Sequence, residues 1–165
     1  MKKRYDARRR FLQNAGIATT GIVAAGGLSA AASESYNWKM VTAWPKNFPG
    51  LGTGANQLAT TIGQMSGGQL RIRVYGAGEL VPALGVFDAV SRGTAEIGHA
   101  ASYYWKGKHE AIQLFAAVPF GLNAMEMNAW LRFGGAQELW DQLYGDFNLK
   151  GFAAGNTGVQ MGGWF

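Results

Sequence analysis

The alternation of strand-like and helix-like segments is the feature that most limits the fold of this chain. Segment 38–44 (WKMVTAW) is dominated by large apolar side chains and predicts a buried strand. Residues 70–75 (LRIRVY) alternate apolar and polar side chains, as a strand with one wet face does. Between them, residues 56–65 have apolar side chains at helical spacing. This order predicts a mainly parallel sheet with helices packed on it.

The same alternation continues along the rest of the chain. Its further elements are predicted as helices between Pro82 and Gly93, after the Asn123 and Glu126 cap pair and at 137–144, and as strands at 95–101 and 149–154. Ligands of open parallel sheets bind at the carboxyl ends of the strands. The loops expected at those ends are residues 45–54, 76–81, 102–108 and 156–160.

The N-terminal segment 1–32 predicts an export signal. It holds six of the 15 basic residues and one of the 10 acidic residues, so its charge equals the +5 of the whole chain. A weakly apolar run and the small residues SAAA at 29–32 follow, as before a signal peptidase site. RRRFL at 8–12 resembles a twin-arginine signal, although Ala7 and Gln13 depart from that pattern. We therefore expect a periplasmic protein, with a lone membrane anchor as the disfavoured alternative.

The remainder of the chain, residues 33–165, is electrically neutral, with nine basic and nine acidic residues. The high pI therefore comes from the leader, and no basic groove predicts a nucleic-acid partner. The chain has no Cys. Disulfides, thiolate metal sites, iron–sulfur clusters and covalently attached haem are thereby excluded.

No set of residues predicts catalysis. The Gly-rich loop within 45–54 precedes a helix but lacks both the G-x-G-x-x-G spacing and the Lys-Ser or Lys-Thr pair of nucleotide-binding loops. His99 lies in an apolar strand, as core histidines do, and His109 beside Glu110 is expected to be solvated. Glu79, in a Gly-rich turn, is the one acid away from an expected solvated helix face. We expect a protein that is not an enzyme. The alternative is an exported cofactor-binding enzyme that uses the Gly-rich loop and His99.

Two segments predict the binding of a small ligand. Tyr103 and Tyr104 follow a strand, and aromatic walls with a few polar groups are typical of ligand clefts. Core packing is the alternative, as is an interaction module built on surface aromatics. Asn156 and Gln160 lie among glycines. Their amides suit a carboxylate or keto oxygen through NH₂, and Na⁺ or Ca²⁺ through oxygen. A simple turn at these residues is the competing interpretation.

Four segments carry a family resemblance: WKMVTAWPKNFPGLGTGANQLA, YGAGELVPALGVFDAVSRGTAEIGHAASYYWKGK, AVPFGLNAMEMNAWL and GNTGVQMGGWF. Together they resemble the solute receptors of TRAP transporters, the DctP-like family, in its TakP-like branch that binds 2-oxo acids. The resemblance implies a periplasmic receptor with two α/β lobes that close over a small carboxylate. Such a receptor delivers its ligand to DctQ- and DctM-like membrane subunits for uptake. It has no cofactor and does no chemistry on the ligand, and Na⁺ or Ca²⁺ lies beside the acid.

The resemblance also implies roles for individual residues. Asn156 would contact the acid, Gln160 would ligate the cation and touch the acid, and Tyr103 or Tyr104 would line the pocket. Family members continue into an Arg-containing segment and a second lobe. Residues 33–165 are therefore expected to be the N-terminal lobe and the start of the crossover, truncated and with weak or absent ligand binding. Which acid is bound, which cation is used and whether the receptor is a homodimer stay open.

Overall fold

The computed structural model of the chain describes residues 34–158. Its elements are β1 (Tyr36–Thr42), α1 (Leu51–Met65), β2 (Leu70–Tyr75), α2 (Val86–Ser91), β3 (Ile97–His99), α3 (Ala124–Phe133) and α4 (Ala136–Gly145), with 3₁₀ turns at Ala83–Gly85, Ser102–Trp105 and Glu110–Phe115. The predicted export signal at 1–32 lies outside these residues. Over the part that the structure describes, no helix has both the length and the apolar character needed to cross a membrane.

The three strands form one parallel sheet with β1 at its centre, in the order β2-β1-β3. Met40 of β1 lies opposite Val74 of β2 and Ile97 of β3. Met40 and Val41 are fully buried, whereas the edge strand β2 alternates half-buried and exposed positions. The α/β class with a parallel sheet, predicted from the alternation of elements, is confirmed.

Helix α2 packs on β3 through a position that has no side chain. A Cβ on Gly98 would lie 2.8 Å from Val86 Cγ1 and 3.1 Å from Val90 Cγ2. The two elements can approach this closely only because residue 98 is glycine. The contact brings Val86 and Phe87 of α2 into the core beside β1.

Aromatic stacking forms the core between the helices of the C-terminal half. The ring of Phe115 stacks on Trp140 at 5.2 Å and on Trp130 at 5.9 Å, with interplanar angles of 3° and 6°. Trp140 and Tyr144 of α4 are buried, as the predicted apolar stripe of residues 137–144 required. These contacts attach α3 and α4 to the part of the chain that follows β3.

The predicted start of α1 at residue 56 is wrong, because the helix begins at Leu51. Glycines have low helix propensity, so the Gly-rich segment was predicted as a loop. Gly50 adopts a φ of 77° just before the helix, and a Cβ on Gly52 would lie 2.8 Å from the Pro45 carbonyl oxygen. The glycines therefore serve close packing at a helix start and do not form a mobile loop.

The predicted strand at 149–154 is also wrong, since that segment forms no strand in the structure. Side chains of α4 bind it in place of a strand partner. Gln137 Nε2 donates to the Gly151 carbonyl at 2.8 Å, and Lys150 pairs with Asp141. Gly151 lies directly against the Trp140 ring, where a Cβ would clash. An apolar pattern alone cannot distinguish this packed coil from a strand.

The predicted strand at 70–75 is correct in extent, since β2 is Leu70–Tyr75, whereas the predictions for β1 and β3 are correct in kind but not in extent. β1 ends at Thr42, two residues before the predicted end, and β3 has three residues, fewer than the predicted range 95–101. The Thr42 hydroxyl donates to the Trp44 carbonyl at 2.9 Å, which turns the chain out of the sheet. Residue Trp44 is thereby placed in a loop at the sheet edge.

The capping of α3 gives a testable prediction. Asn123 Oδ1 accepts from the backbone N–H groups of Met125 at 3.0 Å and Glu126 at 3.1 Å, and Glu126 Oε2 accepts from Asn123 N at 2.8 Å. Replacing Asn123 by Ala removes the cap and should lower the free energy of unfolding by about 1 kcal/mol, measured by chemical denaturation. The matched control Asn128→Ala, at an exposed position inside the same helix, should cause no loss. Equal losses in the two variants would contradict the capping role.

Candidate functional site

The carboxyl ends of the three strands meet at Trp44. Its carbonyl oxygen accepts from the Thr42 hydroxyl after β1 at 2.9 Å and from Ala77 N after β2 at 2.8 Å. Its indole Nε1 donates to Nδ1 of His99, the last residue of β3, at 2.8 Å. Backbone and side chain of Trp44 are therefore both fixed, and by different strands.

His99 is held in one protonation state and one tautomer by this contact. Its pKa is lowered from the ordinary value by burial, so the imidazole is neutral at neutral pH. Since the indole N–H can only donate, Nδ1 has to accept, and the proton of the neutral ring is on Nε2. His99 is half-buried and uses one ring nitrogen for this bond, so it is a structural histidine at the edge of the core rather than a fully buried one. Exposed His109 instead caps a 3₁₀ turn, with Nδ1 accepting from Ala111 N at 3.1 Å.

The period of the 3₁₀ turn Ser102–Trp105 decides which of its aromatic side chains are buried and which are exposed. Residues three apart in a 3₁₀ helix lie on the same side, which places Ser102 and Trp105 together in the interior. Trp105 packs on Phe87 at 5.3 Å. Tyr103 and Tyr104 point away from it and are 43% and 37% exposed. Trp105 is therefore core, and the two tyrosines form a wall at the surface, where their role in binding a ligand stays a prediction.

Tyr104 joins this wall to Trp44. The Tyr104 ring lies 5.8 Å from Trp44 and 4.8 Å from Tyr103. Burial, and then the neighbouring Tyr103 hydroxyl, raise the pKa of Tyr104 above its usual value. Its phenol therefore stays neutral and can donate a hydrogen bond at neutral pH. The structure thus brings the two predicted tyrosines together at the ligand-binding edge expected for a parallel sheet.

Glu79 ties the loops after β1 and β2 together. Its carboxylate accepts from Gly76 N at 2.7 Å and from Lys46 Nζ at 3.2 Å. The Gly76 N–H and then the Lys46 ammonium lower the pKa of Glu79, so it is ionised at neutral pH. The position of this acid in a Gly-rich turn, which the sequence singled out, is thus explained by a structural contact.

The predicted amide residues are not shown in contact with the tyrosines. Asn156 is exposed, and its Oδ1 accepts from Gly158 N at 2.7 Å, with Gly158 at a φ of 77°. This is the turn that the competing interpretation described. Within residues 34–158, no hydrogen bond links Asn156 to Tyr103 or Tyr104. Gln160 lies outside the described residues, so its predicted role as a cation ligand stays a prediction.

The described part of the chain has neither a cluster of metal-ligating acidic or histidine side chains nor an open phosphate-binding loop in its Gly-rich segment. Among residues 34–158, no three His, Asp or Glu side chains cluster closely enough to hold a metal ion. The Gly-rich segment is the first turn of α1, where Thr53 Oγ1 accepts from Gly50 N at 3.1 Å and Gly52 is buried against the Pro45 carbonyl. Its backbone is therefore used in packing and is not open to cradle a phosphate.

Sequence reasoning missed Trp44 and Lys46. The apolar run placed Trp44 inside a strand, where it would be one more core residue. The signal that could have found it is Pro45, since a proline disfavours continuation of a central strand and marks the preceding residue as a turn. Its partner His99 is 55 residues away, and no local pattern predicts that contact.

Comparison with protein families identifies the family to which the chain belongs. Residues 40–164 match the model of DctP, described as bacterial extracellular solute-binding protein, family 7. The match covers more than half of the chain. The chain belongs to the DctP family. The expected TRAP receptor resemblance is thereby confirmed, and the family is one of solute-binding proteins and not of enzymes.

Individual relatives agree with the family match. The chain is 43% identical, over 96% of its length, to a monocarboxylate 2-oxoacid-binding periplasmic protein of Nostoc sp. strain PCC 7120. It is similar, with a TM-score of 0.77 and 44% identity over 80% of the chain, to a TRAP periplasmic solute-binding protein from Pseudoalteromonas atlantica with bound sodium and pyruvate. A Bordetella bronchiseptica TRAP protein, a dimer with copurified calcium and picolinate in its active site, matches with a TM-score of 0.77 and 39% identity over 80% of the chain.

These relatives are longer than the chain. It spans 45% of the Nostoc protein, 40% of the Pseudoalteromonas structure and 39% of the Bordetella structure. Relatives with bound ligand hold sodium or calcium, which agrees with the expectation of a cation and no cofactor in this family.

The close approach of the two loops at the edge is testable. A Cβ on Gly76 would lie 2.7 Å from Lys46 N, so Gly76→Ala has to push the loop after β1 away from β2. We expect the free energy of unfolding to fall by about 1–3 kcal/mol in chemical denaturation, because the blocking atoms are backbone. The control Gly107→Ala points into open space and should change stability little. An unchanged stability for Gly76→Ala would show that the approach is looser than described.

Proposed function

We propose that this chain serves in an extracytoplasmic TRAP receptor that binds a small 2-oxo monocarboxylate of the pyruvate class together with Na⁺ or Ca²⁺. The observation that carries the proposal is the tyrosine wall at the carboxyl edge of the parallel sheet, where Tyr103 and Tyr104 are exposed side by side. Its support from relatives is the pyruvate and sodium held by the Pseudoalteromonas protein and the 2-oxoacid-binding activity in the name of the Nostoc protein.

The chemistry of the wall suits a flat, polar acid. Phenol hydroxyls donate hydrogen bonds to keto and carboxylate oxygens, and their rings exclude water from one side of the ligand. Two lysines near this edge are paired, Lys46 with Glu79 at 3.2 Å and Lys108 with Asp88 at 2.8 Å, whereas exposed Lys106 has no ion pair among residues 34–158. We therefore assign the wall to orientation and selectivity, and not to neutralising the carboxylate.

Asn156 and Gln160 complete the proposed site. We assign the Asn156 NH₂ group to the acid, because its Oδ1 is used by Gly158 N and the two amide hydrogens stay available for donation. Gln160 is assigned to the cation and the acid through its amide oxygen, a ligand type that Na⁺ and Ca²⁺ accept. A cation beside the acid would supply the charge that the paired lysines do not.

The cellular role follows from the same proposal. Residues 1–32 would direct export by a twin-arginine-like signal, which places the receptor in the periplasm. The loaded receptor would then deliver its acid to DctQ- and DctM-like membrane subunits for uptake, without chemical change of the ligand. Whether two copies associate, as in the Bordetella structure, belongs to the same set of proposals.

The ligand class is tested by titration under conditions that detect weak binding. We expect pyruvate, added to the chain in sodium or calcium buffer, to shift the NMR resonances of Tyr103 and Tyr104 saturably. Propionate has the same carbon skeleton and carboxylate but no keto oxygen, so it should shift them much less. Removal of calcium by a chelator in a sodium-free buffer should weaken the response. Absence of saturable binding of every 2-oxo acid in both buffers, when the full-length protein that contains this chain is titrated, would refute the ligand class.

The proposed role of Asn156 is tested in the same titration. Asn156→Ala should weaken pyruvate binding by about 1–3 kcal/mol, because a ligand oxygen loses its donor on transfer from water. Asn128→Ala, on exposed helix α3, is the matched control and should leave the affinity unchanged. An unchanged pyruvate affinity in Asn156→Ala would remove this residue from the site.

A further inference from the structure

The position of the tyrosine wall depends on Trp44, a side chain that does not itself belong to the wall. Tyr104 contacts Trp44 at 5.8 Å, and Trp44 is oriented by its hydrogen bond to His99 at 2.8 Å. The His99 and Trp44 rings also meet edge to face, with centroids 6.2 Å apart and an interplanar angle of 76°. The three residues therefore form a continuous chain of contacts from the end of β3 to the exposed edge.

The hydrogen bond has a single possible direction. An indole N–H donates and cannot accept, so only a His99 with an unprotonated Nδ1 can hold Trp44 in this orientation. Among residues 34–158, the imidazole makes no other hydrogen bond. Within the described residues, the one side-chain hydrogen bond of His99 is therefore the bond to Trp44.

Trp44 can transmit this effect because the rest of it is immobile. Its carbonyl is bound by Thr42 Oγ1 and Ala77 N, which leaves rotation of the side chain as the remaining freedom. The ring is 8% exposed and covers one side of Tyr104. Loss of the indole hydrogen bond would free that rotation, and Tyr104 would lose its defined support.

We propose that His99 is a positioning residue for ligand binding: in its Nε2–H tautomer it orients Trp44, and Trp44 sets the position of the Tyr104 ring. This inference rests on the proposed function for its ligand, but the relay itself can be measured without any ligand. It predicts a chemical state of His99, a response of Tyr104 and a rescue by a side chain that keeps an acceptor near Nδ1.

The first measurement uses the unmodified chain. In ¹⁵N NMR at neutral pH, His99 should show an unprotonated Nδ1 and a protonated Nε2, and His99→Asn identifies its signals. The indole N–H of Trp44, identified by its loss in Trp44→Phe, should be slow to exchange with water. A His99 that carries its proton on Nδ1, or a doubly protonated ring, would overturn the proposal, because neither state can accept from Trp44.

The second measurement follows Tyr104 by ¹⁹F NMR after labelling with 3-fluorotyrosine, and Tyr104→Phe assigns its signal. His99→Leu, which removes the acceptor, should shift or broaden the Tyr104 signal and leave that of Tyr144 in the core unchanged. His99→Asn, whose Oδ1 lies near the Nδ1 position, should restore it. The surface control His109→Asn should have no effect. A Tyr104 signal that is the same in His99→Leu and in the unmodified chain would overturn the relay.

The third measurement connects the relay to binding. His99→Leu should weaken pyruvate binding by about 5- to 30-fold, the effect of one or two kcal/mol, and His99→Asn should recover most of it. If the full-length protein binds no 2-oxo acid, the proposed function fails while the tautomer and fluorine results still decide the relay. If pyruvate binds equally well to His99→Leu, His99 has no positioning role and the proposed function stands.

Discussion

The central position of β1 between two parallel neighbours is the constraint on which the rest of the structure depends. Parallel pairing brings the carboxyl ends of all three strands to one edge, so each following loop has to leave the sheet in the same small space. Trp44 connects the three loops in this space. Its carbonyl accepts hydrogen bonds from the ends of β1 and β2, and its indole donates one to the end of β3. The pairing of the three strands thereby fixes the position of the Trp44 side chain.

Small residues make this arrangement possible where the elements approach most closely. Gly76 allows the loop after β2 to touch the backbone of Lys46, and Gly98 allows α2 to lie on β3. The ion pair of Lys46 with Glu79 then joins the two loops at the surface. At this edge, the glycines allow the backbone segments to approach closely, and the ion pair keeps the two loops together.

Periodicity in the sequence predicted the elements whose side chains have a regular pattern of burial. The alternation in 70–75 and the apolar stripe of 137–144 each gave the correct element, since the sheet and the aromatic core bury those faces. It failed at the start of α1 and at 149–154, because glycines there are used for contacts with Pro45 and Trp140 that no local pattern records. For the candidate site, residue type and position after a strand singled out Tyr103 and Tyr104, which are exposed at the sheet edge, and their binding role stays a prediction. The role of Trp44 depends on a hydrogen bond to a residue 55 positions away, so it became visible only in three dimensions.

The charges at the edge explain why a receptor built on it would need a cation. A buried carboxylate is costly unless its charge is balanced. Lys46 and Lys108 are paired with Glu79 and Asp88, and the Tyr104 phenol and the His99 imidazole at the edge are neutral. Uncharged donors can orient a 2-oxo acid and discriminate its oxygens without holding it so tightly that release becomes slow. A separate Na⁺ or Ca²⁺ beside the acid, as the relatives with bound ligand contain, would then supply the missing positive charge. Selectivity would come from the aromatic edge and charge balance from the cation, so that each is adjusted by different residues.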